Sequence, residues 1–164
     1  MGGERFLEGY GGQTTEELLA LEDECRIDSL VLAFEEGIQR KETISPQERY
    51  VLAVEALERE VNNGGYSQFF TNSSNDYVDV VVEALVAIGC PKVGAITQDA
   101  IGALGIEGRV DGQKAAEVVL AEDQAVVDAL SACDDRYYAC DEPIADRLFA
   151  WIRENRASIR VGGE

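Results

Sequence analysis

The stretch "SPQERYVLAVEALEREVNNGG" (45–65) constrains this chain most, because it spells a helix with both ends marked. Ser45 is an N-cap residue, Pro46 takes the first helical position, and Glu48 completes a capping box with Ser45. Tyr50, Val54, Leu57 and Val61 recur at helical spacing as an inward stripe. Glu48, Glu55 and Arg59 are predicted to lie outward, with Glu55 four residues before Arg59 in the favoured orientation. Asn62 or Asn63 can then end the helix in a left-handed turn, and Gly64-Gly65 permits backbone angles that other residues resist.

Most of the remaining chain also reads as helix. Thr14 or Thr15 caps "TTEELLALEDE", with acids in the first turn. "DSLVLAFEEGIQRKE" places Leu30, Ala33, Phe34 and Ile38 on one face. In "DYVDVVVEALVAIG" three consecutive valines are compatible with a strand. Its 14 residues, however, space Asp76, Asp79 and Glu83 by three and then four, which predicts a mostly buried helix closed by Gly89. "PKVGAITQDAIGALG" is a helix with Pro91 near its start and Gly105 just past its end. After the turn "IEGRVDG", the text predicts two short helices broken near Glu122–Asp123. A C-terminal amphipathic helix follows, with Ile144, Leu148, Trp151 and Ile152 inward. Residues 1–13 are Gly-rich and aperiodic and read as a flexible arm. The expected fold is all-α, a single compact domain of seven or eight helices over residues 14–160.

Composition narrows the function classes. At 164 residues with 46% apolar, the chain is long and apolar enough for its own core. It carries 32 Asp and Glu against 14 Lys and Arg, a net charge of -18. Nucleic acid and anionic membranes would repel such a chain, so neither is an expected partner. A basic partner, or simply solubility, remains. The four cysteines form no CxxC pair and there is no histidine, which removes the common mixed zinc sites. No metal or cofactor is expected. The start has no basic segment leading into an apolar one, and no apolar run approaches the roughly 20 residues of a bilayer span. The expectation is a cytoplasmic protein whose cysteines are small reduced core residues, with a Cys133–Cys140 disulfide as the alternative.

Without histidine the Ser-His-Asp and Cys-His arrangements are unavailable, and no phosphate-binding glycine loop or EF-hand pattern occurs. No residue is assigned a catalytic role. The string "VNNGGYSQFFTNSS" has two readings. In one, Tyr66, Phe69 and Phe70 anchor a turn into the core and Ser73, Ser74 or Asn75 caps the next helix. In the other, its Asn, Gln and Tyr groups line a pocket for a polar ligand.

That string, followed by "ALVAIG" after a short spacer, resembles a bacterial family of acidic all-helical proteins of unknown function. Asn62, Asn63, Gly64, Gly65, Tyr66, Gln68, Phe69, Phe70 and Asn72 match the family's core, with Tyr66 standing where Phe is usual. The specific motif covers residues 61–74, and a looser likeness runs from about Thr14 to Ala150. The family's best-described members look like DNA mimics that dimerise and present carboxylates arranged like backbone phosphates. The resemblance therefore implies a homodimer and a basic DNA-binding partner of the helix-turn-helix type.

A mimic needs acids in rows, and neighbours three or four apart on a helix stand about 5–6 Å between Cβ atoms. Glu17, Glu24 and Asp28 form one row if the first two helical segments are continuous, with Glu16 and Asp23 beside it. Asp76, Asp79 and Glu83 form a second row, and Asp128, Asp134 and Asp135 a third. Residues 1–60 hold 15 acids and 6 bases, which favours the N-terminal helices as the electrostatic face. Ordinary roles compete: Glu22 and Glu36 precede Arg26 and Arg40 by four residues, and Glu16, Glu17 and Glu48 suit helix starts. The expected function is a non-enzymatic acidic interaction protein acting as a DNA mimic. The alternatives are a small polar-ligand-binding protein or hydrolase with its pocket at Asn62–Asn72, and a structural or immunity-type module whose acidity serves solubility.

Overall fold

The computed structural model describes residues 2–163, and among them there are eight α-helices and no strand. The helices are α1 (Thr15–Ala20), α2 (Ile27–Gln39), α3 (Pro46–Thr71), α4 (Val81–Ala87), α5 (Pro91–Ala103), α6 (Gly112–Leu120), α7 (Gln124–Ala139) and α8 (Ile144–Glu154), with 3-10 turns at Ser73–Tyr77 and Arg156–Ser158. The fold is all-α. Local signals set most boundaries. Thr14 caps α1 in a full capping box with Glu17, and Asp123 caps α7 by accepting from the backbone N–H groups of Ala125 and Val126. Glu122 takes a positive φ of 54° at the α6–α7 break. Gly89, at φ 88°, closes α4 with the paired bonds Cys90 N–H to Leu85 O (2.8 Å) and Gly89 N–H to Val86 O (3.1 Å) of a Schellman turn.

The chain falls into two compact units. The first comprises residues 1–55 and 143–164. In it α2 packs on α8 and α1, burying Leu18, Leu30, Phe34, Ile38, Leu148 and Ile152, and Tyr50 stacks on Trp151 at 5.7 Å. The buried Thr15 hydroxyl donates to Ile159 O (2.7 Å) and accepts from Val161 N–H (3.0 Å), which ties the C-terminal segment to α1. The second unit comprises residues 56–142. There α5 packs on α7 and α4, and α6 packs on the 3-10 turn at Ser73–Tyr77. Its core includes Leu57, Val61, Tyr66, Phe69, Phe70, Leu85 and Leu130.

Four expectations change. Residues 2–13 are not a loose arm: Gly3 N–H donates to Cys25 O (2.9 Å), Arg26 N–H to Arg5 O (2.8 Å) and Leu7 N–H to the Ser29 hydroxyl (3.0 Å), and Tyr10 is buried. The segment lacks a period because these backbone bonds, not an amphipathic face, hold it down. Glu48 is not outward. It is 1% exposed, where it completes the capping box with Ser45 and also accepts from Lys41 Nζ and from Arg160 N–H (3.0 Å). The helix over "DYVDVVVEALVAIG" is shorter than expected, with Asp76 in the 3-10 turn, Asp79 in the following turn and only Glu83 within α4. Finally, α1 and α2 are separate helices, interrupted by Leu21–Arg26, so Glu17, Glu24 and Asp28 share no continuous helical row. All four cysteines are free, Cys25, Cys90 and Cys133 being buried.

Candidate functional site

The marked string forms a joint inside α3. Gly64 (φ -155°, ψ 17°) and Gly65 (φ 78°, ψ -177°) leave the helical region, so the helix stops and restarts in a new direction at Tyr66. The Gly65 angles belong to a region that only glycine occupies at low cost. A Cβ there would also stand 2.3 Å from Asp134 Oδ2. That closeness has a reason: Asp134 Oδ1 accepts from the Tyr66 N–H at 2.7 Å, so a carboxylate from α7 caps the restarted helix. Burial pushes the Asp134 carboxyl upward, and the bond from Tyr66 N–H pulls it back down.

The other motif side chains are spent within the second unit. Tyr66 is fully buried and its hydroxyl pairs with that of buried Thr97 at 2.8 Å. Its ring meets Phe70 and, edge-on, Tyr137. Phe69 and Phe70 are fully buried, and their ring centroids lie 5.5 Å apart. Gln68 and Asn72 both donate their amides to Glu60 Oε2, at 2.8 and 2.7 Å, and Asn62 donates to Glu58 O at 2.8 Å. Asn63 is exposed. The Ser74 hydroxyl and the Asn75 amide do not cap the next helix; they close the previous one by bonding Phe69 O and Phe70 O.

Several residues that sequence reasoning passed over complete the joint. Tyr138 donates its hydroxyl to Val61 O (2.5 Å) before the break, and Tyr137 donates to Glu58 one turn earlier. Burial pushes the Glu58 carboxyl up to about 7. No local signal announces the contacts of Asp134, Tyr137 or Tyr138, which lie some 70 residues downstream of the break; Asp134 was read only as a member of an acid row.

A family model described as DMP19-like protein matches residues 42–155. The chain belongs to the DMP19-like family. No curated protein and no solved structure matches it. The matched span runs from just before α3 to the end of α8, with the Gly64–Gly65 joint inside it.

The DMP19-like span also holds most of the charge. Residues 42–155 carry 21 acids and 8 bases, a net of -13 out of -18. Among the candidate partner-binding acids, Asp76, Asp79 and Glu83 lie within the span and Glu16, Glu17, Asp23, Glu24 and Asp28 lie outside it. Several of the latter are engaged at home. Glu16 faces Arg156 (3.9 Å) and Arg160 (3.5 Å), Glu24 faces Arg5 (3.5 Å), Asp28 pairs with Arg26 (2.5 Å), and Glu17 serves the α1 capping box. Arg153 likewise meets Glu22 at 2.5 Å. The N-terminal excess counted along the chain is thus offset in space by C-terminal arginines. The first unit holds 16 acids and 9 bases, whereas the second holds 16 acids and only 5 bases. Within the second unit Glu83 is exposed, and Asp76 and Asp79 line a cavity of about 360 Å³ together with Arg109, Asp111 and Lys114, with Arg109 3.8 Å from Asp79. Among the described residues no helix is long and apolar enough to cross a membrane.

Proposed function

We propose that this DMP19-like protein is a non-enzymatic interaction protein whose acidic surface occupies the nucleic-acid-binding face of a basic helix-turn-helix regulator, as a DNA mimic. The observation that carries the reading is the net charge of -11 on the second unit, which lies wholly inside the family span. Asp76, Asp79 and Glu83, with Asp128 and Asp135, are the carboxylates on that unit that stand for phosphates. Electrostatic steering and charge pairing supply the affinity, so binding falls steeply with salt. Asn62, Tyr66, Gln68 and Asn72 bond to the protein itself, which favours a shaping role for the joint over a ligand pocket at Asn62–Asn72.

The test is capture of partners from the source cell's lysate at low salt, followed by a salt gradient and mass spectrometry. The expected outcome is one basic helix-turn-helix regulator, released from the acidic protein by competing duplex DNA. Recovery of unrelated basic proteins that elute in order of their own charge, indifferent to DNA, would sink the reading.

A further inference from the structure

One helix holds both arms of the Gly64–Gly65 joint. Helix α7 reaches the segment before the break through Tyr137 (to Glu58) and Tyr138 (to Val61 O), and the segment after it through Asp134 (to Tyr66 N–H). Three residues within five positions of one helix therefore fix both arms of the break. Their rings continue the contact, since Tyr137 sits edge-on to both Tyr66 and Tyr138 at 6.0 Å. Glu58 is the odd member. It is half-buried, and among the described residues no cation pairs with it. Arg59 next to it on α3 lies toward Glu60 (3.9 Å), and Arg136 on α7 is committed to Asp99 of α5 (2.7 Å). The group that faces it from α7 is the Tyr137 hydroxyl; Tyr138 and the acid Asp134 on the same helix bond elsewhere, to Val61 O and to the Tyr66 N–H.

We propose that Glu58 is a protonation-dependent lock on this joint: neutral Glu58 keeps α7 gripped on both sides of the break, and its ionisation loosens the grip. This inference is independent of the DNA-mimic reading. A neutral carboxyl shares a hydrogen bond with Tyr137 at no charge cost. Once its proton passes to solvent, the carboxylate gains a stronger bond from the Tyr137 hydroxyl but loses its hydration without a cation in return, and desolvation outweighs the single bond. The ion is stabilised by local opening that admits water, and opening there separates Tyr137 from α3. The direction follows from linkage. The closed state holds its proton up to about 7, against 4.5 for an exposed carboxyl, so closure is strongest at low pH and is lost as pH rises through the closed-state value.

Amide hydrogen exchange of the intact protein tests this, read on fragments spanning residues 58–68 and corrected for the intrinsic rate. Between about pH 6 and about pH 8, protection in the wild type should fall about tenfold. In Glu58→Gln, which cannot ionise, it should stay level. Equal wild-type protection at both pH values, or the same loss in Glu58→Gln, would overturn the proposal. Should that variant fail to fold, a carbon NMR titration of the wild-type Glu58 carboxyl decides. A midpoint near 7 that tracks the exchange supports the lock, and a midpoint in the ordinary carboxylate range overturns it.

Discussion

At the scale of single residues, two adjacent glycines do different work. Gly65 has a positive φ, and its missing Cβ leaves room for the Asp134 carboxylate. Gly64 has a φ that any residue adopts, and the atom its Cβ would meet is Gln68 Oε1, the end of a flexible side chain at 2.1 Å. Gly65→Ala should therefore cost about 3 kcal/mol, combining backbone strain with a displaced cap. Gly64→Ala should cost about 1 kcal/mol, because Gln68 can swing away at the loss of its bond to Glu60. Urea midpoints of the two variants measure the contrast; equal losses would mean that Asp134 does not cap Tyr66. The need for glycine at this point was legible in the string itself. The partner that makes Gly65 indispensable was not, because Asp134 is 68 residues away from Tyr66.

At the scale of elements, helix starts were readable wherever the cap is local. Thr14, Ser45 and Asp123 bond the amide groups two or three residues ahead, and such bonds are written in adjacent letters. Glu48 shows where that legibility stops. Its capping box was predicted, but its burial depends on Lys41 and on the Arg160 N–H of the C-terminal segment. These partners hold its carboxyl below the ordinary range against the opposing effect of burial. A lowered carboxyl adds stability that is present above the ordinary carboxylate range and lost as pH falls through the folded-state value. Glu48→Gln should thus be less stable by about 2 kcal/mol at neutral pH. The gap should narrow in acid, as urea denaturation at about pH 7 and about pH 3 would record; an unchanged gap would mean that the charge of Glu48 contributes nothing. The break between α1 and α2 was illegible for a related reason. "LALEDECRI" continues a helical period, yet residues 21–26 leave the helix while residues 3 and 5 bond to Glu22, Glu24, Cys25 and Arg26.

At the scale of the whole molecule, net charge is a property of composition and its distribution is a property of the fold. A surplus of 18 negative charges repels itself, so raising salt should stabilise the protein. Thermal unfolding at neutral pH should shift upward by several degrees between about 10 mM and about 300 mM salt; a flat response would mean that internal ion pairs already neutralise the field. Counted along the chain, the acids pointed to the N-terminal helices. In space, Arg153, Arg156 and Arg160 return to Glu22 and Glu16, and the surplus is left mainly on the second unit. By itself the sequence determined the all-α class, most helix limits and the place of the joint, because periodicity, caps and glycines act over a few residues. Only the tertiary structure decided which acids are neutralised, which carboxyls are buried and what grips the joint. Those outcomes depend on desolvation and on partners from 7 to more than 140 residues away, and neither is encoded in local spacing.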